Sequence, residues 1–416
     1  MYKRQAGNLD CQLKAAYDLQ TSHVQATVES MNLTELQLAS TEILGNDVFR
    51  LATASATGKI DLSPSTLWAD QFQFNSDVGR VQANGQFEIA DVNRLAAGGQ
   101  LPESNFQMQG NLDLARLMQM LPATFHTHQD LQLQSGVANF QIGSQQRQLL
   151  MNVDMADLKA RRGGQEIIWQ EPINLSGVLA SDQTGLALKK VQCQTDFLTI
   201  LGNANMFEGV FDFKGDLDLL TKRVGQFVDL QQMAFGGSLD GKFGWQLRGN
   251  NAAGVIHNRP IDMIGSFVVV NPRVAMPGLP DWKQNRATVQ LEAVLNALSS
   301  GQVRVDSGVA NADLGSERVL VQLTEPIPDV AAHTDWKFSA RALGDAGGYL
   351  RHVQNFVDLG EIAAGGNLDL NTGVALSGNK LVLSGLNFTL QQLNSKVTVW
   401  SSASHKLTVQ PTFNTI

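Results

Sequence analysis

The chain has 416 residues, 43% hydrophobic and 17% charged, with 38 glycines and a net charge of −8. That is too apolar for a disordered chain and too acidic for a nucleic-acid footprint, and its densest basic spots (Lys159 with Arg161 and Arg162; Lys189 with Lys190) read as solvated turns. No run approaches the roughly 18 apolar residues of a membrane-spanning helix.

The first residues, MYKRQAGNLDCQL, pass from basic residues straight into a strand-like pattern with no recognisable signal peptide. The reading is a cytosolic chain, or one that starts downstream of its targeting segment. Cys11 and Cys193 are expected to be buried free thiols, because a disulfide would close a very long loop. Period-two alternation begins clearly at Phe72 and Phe74, set between Gln71, Gln73 and Asn75. From Phe106, FQMQGNLDLARLMQMLP reads as a strand followed by helical spacing over Leu114–Leu121, stopped by Pro122. His126 and His128, with Asp130 next in line, share one strand face, but no further His or Cys completes a zinc set, so exposed strand histidines are expected.

Leu131 and Leu133 alternate with Gln132 and Gln134. After a predicted turn at Ser135-Gly136 come Ala138, Phe140 and Ile142, then Leu149, Met151, Val153 and Met155. Cys193 lies in the alternating stretch VQCQTDF. FDFKGDLDLLTKRVGQF, from Phe211, leads into a helix over Leu219–Leu230. Asp216 and Asp218 fall short of an EF-hand loop and read as a turn or helix cap. GGSLDG at Gly236 is similar to a calcium β-roll nonapeptide, but Leu239 replaces a required glycine and there is no tandem array.

Further stripes occur at Phe243, Trp245 and Leu247, at Val289, Leu291, Ala293 and Leu295, at Val319, Val321 and Leu323, and at Val397 and Val399. The Pro-rich stretch Asn271–Trp282 reads as a surface loop or edge crossing. Tyr349–Leu359 has helical spacing. The expectation is a mostly β protein, on the order of thirty short antiparallel strands with a few short helices, dry on one sheet face and wet on the other.

Internal repeats organise this pattern. FVDL occurs at Phe227 and Phe356, and GGSLD and GGNLD begin at Gly236 and Gly365, both offsets being 129 (365 − 236). The Phe106 and Phe211 blocks match at an offset of 105 (211 − 106), with a weaker copy, VQANGQFEIADVNRLAA, from Val81. The predicted divisions are 1–80, 81–208, 209–335 and 336–416, each a β repeat.

The units Gly110–Ile142, Gly215–Leu247 and Val353–Gly378 share a Gly-x-apolar-Asp strand, a short helix and an alternating strand series. On these features the chain resembles the AsmA-like family of bacterial envelope proteins. The resemblance implies a long curled antiparallel sheet, the β-groove of TamB- and YhdP-type bridge-like lipid-transfer proteins. It implies acyl chains of phospholipid or glycolipid as cargo, inner-membrane and envelope proteins as partners, and no cofactor. It also implies a periplasmic place with an N-terminal inner-membrane anchor helix, which this sequence does not show.

The candidate lipid-lining residues are Phe140, Ile142, Met151, Val153, Leu188, Phe211, Phe213, Phe243, Trp245, Val289, Leu291, Val321, Leu323, Leu381, Leu383 and Leu390. Packing of the same residues into a closed core is the competing reading. Met151 and Met155 favour a lining role, since flexible thioethers fit varied partners. No P-loop, dinucleotide fingerprint or nucleophile elbow is present and no carboxylate pair stands out, so catalysis is not expected and no catalytic or metal-binding residue is assigned. The alternative function is a structural or adhesive extracytoplasmic β-repeat protein.

Overall fold

A computed structural model describes residues 4–18, 23–39, 44, 47–62, 66–88, 101, 104–125, 130–145, 147–182, 185–205, 207–228, 230, 233–249, 259–276, 281–298, 302–330, 335–354, 366–377 and 380–391. Their 22 strands form a long antiparallel sheet that does not close. The chain divides into two compact units, with the boundary near residue 207 and a crossing inside one helix at residues 221 and 222.

In the first unit lie β1 (Arg4–Asp18), β2 (His23–Ala39), β3 (Val48–Leu62), β4 (Thr66–Ser76), β5 (Gly79–Glu88) and β6 (Gln107–Asp113). Helices α1 (Leu114–Met120) and α2 (Pro122–Phe125) follow, then β7 (Leu131–Gln145), β8 (Gln148–Arg162), β9 (Gln165–Trp169), β10 (Ile173–Asp182), β11 (Gly185–Gln194) and β12 (Leu198–Asn205). Each strand pairs antiparallel with its successor up to β8. There β9 and β10 share one edge: β9 pairs with residues 158–162 and β10 with residues 148–155. Pro172, which lacks an N–H, falls in the break between them.

The second unit begins with β13 (Glu208–Asp216), from which the chain enters α3 (Leu217–Phe227). Then come β14 (Ala234–Leu247), β15 (Pro260–Ala275), β16 (Trp282–Lys283), β17 (Arg286–Ala297), β18 (Val303–Asp313), β19 (Arg318–Leu323) and β20 (Asp335–Asp345). Helix α4 (Ala346–Gln354) precedes β21 (Asn367–Ser377) and β22 (Lys380–Gln391). The order is again sequential, with β16 and β17 both on β15.

One device recurs where a strand runs into a helix. Asp113, Asp216 and Asp345 each end a strand, and each carboxylate accepts the backbone N–H three residues on, from Arg116 (3.0 Å), Leu219 (2.9 Å) and Gly348 (2.8 Å). This is N-capping, which satisfies a donor the helix itself leaves free. The Asp216–Asp345 spacing is the 129 residues of the sequence repeat (345 − 216). Asp113 and Asp216 stand 103 apart (216 − 113), so the match at 105 was two residues out of phase. The second FVDL, the Val81 copy beyond Glu88, His126, His128, Val397 and Val399 lie outside the described residues.

Among the described residues the strands are fewer and longer than expected, up to 17 residues in β2. The reason is visible at Ser135-Gly136, which does not turn the chain: β7 runs straight through it with two register shifts. Opposite, Asp157 takes φ 55, and Ser135 Oγ donates to its carbonyl at 2.8 Å. The dipeptide builds a bulge, and bulges bend a strand without ending it. Gln71 (φ 48) and Lys190 (φ 52) occupy similar bulges. Facing Gln71, Gly58 (φ 121) has no room for a side chain, since a Cβ would lie 2.5 Å from the Phe72 Cα. Pro272 also departs from expectation: it is buried inside β15, tolerated beside the bulge at Asn271 (φ 51).

Candidate functional site

Residues directly opposite across a ladder share a face, so the register traces continuous rows. In the first unit one row runs Cys11, Met31, Ala56, Phe74, Val81, Gly110, Phe140, Val153, Leu175, Cys193 and Ile200. Eleven strands thus contribute ten apolar or thiol side chains and the glycine Gly110. The two cysteines are free and stand nine strand spacings apart, on the order of 40 Å along the sheet; Cys193 is half-buried, but Cys11, on the first strand of the row, is exposed rather than buried as expected.

Of the candidates in this unit, Phe140 faces Val153, Ile142 faces Met151, and Leu188 faces Leu179, which faces Leu149. All five therefore share the dry face, and all are half-buried. This face is covered near one end, where Leu117 and Met120 of α1 pack with Leu33, Leu36, Phe49 and Phe74 around the buried Leu51, Ala54 and Val78.

In the second unit one row runs Phe211, Phe243, Gly265, Leu291, Ala310, Val321 and Ala340. Its neighbour runs Phe213, Gly241, Phe267, Val289, Ala312, Val319, Ala342, Leu370 and Phe388, nine strands without a polar position. Trp245 lies two residues from Phe243 on the same face, stacked on Phe211 with ring centroids 5.8 Å apart. Leu323 faces Phe338, which faces Val374. Leu381, Leu383 and Leu390 occupy the same face by register, opposite Leu376, Val374 and Leu368; their side chains fall outside the described residues.

Gly and Ala are interspersed among the large residues of these rows, and the rings use the space. Phe140 lies over Gly110 and Trp245 over Gly209, each so close that a Cβ on the glycine would be 2.5 Å from the ring; Phe267 lies over Gly241 in the same way. A ring laid flat on the sheet fills the gap beside it and turns its outer face away from the backbone.

The decisive property is burial. Of the thirteen candidate side chains described, twelve are half-buried, and Leu291 is 38% exposed. Among the described residues no large side chain is fully buried, and many of the buried apolar residues are alanines. A closed core would seal its Phe, Leu and Ile side chains. This face is apolar but not sealed.

Phe267, Phe338 and Leu370 belong to the rows but were not singled out in the sequence. Phe267 opens the run FVVV, where apolar residues point to both faces and alternation gives no parity; its register opposite Gly241 resolves it, the ring reaching across that glycine to Phe213 with centroids 6.1 Å apart. Among the described residues no cluster of His, Cys, Asp and Glu forms a metal site. Burial pushes the Cys193 thiol up from its ordinary pKa. Asp218, the other half of the Asp-x-Asp pair, accepts from the Gly237 N–H (2.8 Å) and pairs with Arg273 (3.1 Å), a strut between α3 and the sheet. The GGSLDG segment is interior to β14.

The chain was compared with protein-family models, curated proteins and solved structures, and none matches. No helix among the described residues is long and apolar enough to cross a membrane.

Proposed function

We propose that the dry face binds lipid, sheltering acyl chains along its apolar rows without chemical transformation, as a β-groove of the AsmA-like kind in the bacterial cell envelope. The observation that carries this reading is a continuous apolar face whose large side chains stay half-exposed. Each buried methylene is worth about 0.8 kcal/mol, so a chain of about sixteen carbons needs roughly 12 kcal/mol of shelter away from a bilayer. The row from Phe211 to Val321 crosses six strands, about 24 Å at the usual strand spacing, with no polar gap. The strand–Asp–helix unit at Asp113, Asp216 and Asp345 supports the family assignment, and with it a periplasmic place and partners in the envelope.

The test is organic extraction of the chain purified from bacteria, with mass spectrometry of the extract, beside uptake of a fluorescent phospholipid. Phospholipid is expected in both. Its absence from both would overturn the reading in favour of a structural or adhesive β-repeat protein. Phe140→Asp, Trp245→Asp and Val321→Asp are expected to lower occupancy while circular dichroism retains the β signal. If all three unfold, these residues belong to a core.

A further inference from the structure

The opposite face of the first unit carries an arrangement that lipid binding does not use. One row of that face includes Gln73, Gln82, Gln109, Gln141, Asn152 and Gln192 in cross-strand register, joined through Ser176. Its neighbour includes Asn75, Arg80, Asn111, Asn139, Asp154 and Asn174. Apart from half-buried Asn174 and Ser176 these side chains are exposed, and only Arg80 and Asp154 are charged. Between β5 and β8 the two rows border an open hollow of about 420 Å3.

The sheet does not itself require amides there. In the second unit the outer face mixes ion pairs, Lys242 with Asp212 (3.3 Å), Arg318 with Asp313 (3.3 Å) and Arg341 with Asp369 (2.7 Å), with exposed apolar residues such as Val210 and Ile264 and with short amide pairs, Gln290 with Asn311 and Asn371 with Asn387. In the first unit, Arg80 and Asp154 apart, charges of the outer face such as Lys59 with Asp70 and Lys189 lie off the two amide rows. Among the described residues, an unbroken register of five amides, Gln73 to Asn152, occurs in the first unit, whereas the amide runs of the second unit's outer face stop at two.

We propose that these rows bind a neutral polyhydroxylated chain, an extended glycan laid across the strands. A primary amide offers a carbonyl acceptor and two N–H donors, and a sugar hydroxyl both donates and accepts, so each amide meets hydroxyls without a charge to desolvate. The rows repeat at the strand spacing of about 4.8 Å, close to the rise of an extended β-linked hexose chain, so one ligand can keep phase over several strands. Amide rows can also pair with another copy of themselves; the lack of apolar side chains between them favours a hydrated, hydroxyl-rich occupant instead.

The full chain is titrated by calorimetry with cellohexaose and chitohexaose, with their trimers as short probes. At least one hexamer is expected to bind, and its trimer about tenfold or more weaker. The cross-strand swap Gln109→Glu with Gln141→Lys copies the ion pairs of the second unit and is expected to cut hexamer affinity about tenfold or more, with the thermal midpoint unchanged. Should the swap unfold the chain, the single exposed change Asn152→Lys carries the same expectation. Failure of both hexamers to bind the wild-type chain overturns the proposal, as does binding that folded variants leave unchanged. A concentration-dependent dimer that the swap dissolves, seen by sedimentation without glycan binding, would assign the rows to self-association.

Discussion

Leu291→Asp tests the dry face at its centre. Leu291 sits in the middle of the row from Phe211 to Val321, opposite Gly265 and Ala310, and is 38% exposed. The substitution removes an aliphatic contact equivalent to two or three methylenes and places a carboxylate in the path of an acyl chain. At about 0.8 kcal/mol per methylene the loss is about 1.6–2.4 kcal/mol, or about 15- to 60-fold in affinity. Because the side chain is already partly in water, the folded state should lose less, about 1–2 kcal/mol. The assay is titration with a fluorescent fatty acid, with urea unfolding of the same sample. Ile264→Asp is the matched control: it lies one strand away on the other face, is 61% exposed, and should leave affinity unchanged. Equal losses in both variants, or none in Leu291→Asp, would refute the assignment of the apolar rows as the binding surface.

Two further outcomes follow from local geometry. Asp216→Ala removes the cap of α3 and should cost about 1 kcal/mol, seen as a lower urea midpoint with an unchanged slope, while Asp216→Asn should retain most of the stability. In a Cys11→Ser background, Cys193 should react with a thiol reagent only at higher pH than a free cysteine, because burial disfavours its thiolate, and added lipid should slow it further. The sign for stability follows: the folded pKa is raised, so the contribution is full below the ordinary thiol range and is lost as pH rises through the folded value. Reaction at the pH of a free cysteine would place this side chain off the sheltered face.

Much of the site is legible along single strands. Alternation at Phe140 and Ile142, at Met151 and Val153, and at Phe243 and Trp245 fixes which side chains share a side, since successive Cβ atoms point to opposite faces. The 129-residue offset likewise returns as the Asp216 and Asp345 caps. Short polar dipeptides are less legible. Ser135-Gly136 reads as a turn, yet a bulge there keeps β7 whole; the difference depends on Asp157 of the neighbouring strand, 22 residues away.

What sequence alone determined, then, is the mostly β character, the dry and wet sides of each strand, and the recurring strand-to-helix unit. Only the tertiary structure decided which strands stand opposite, and therefore that single residues join into rows such as Phe213 to Phe388 on one face and Gln73 to Gln192 on the other. Register is non-local: it depends on pairing between segments and on bulges that reverse parity. Whether an apolar face is sealed is equally a property of what lies over it. A stripe of alternating residues is written the same way in either case.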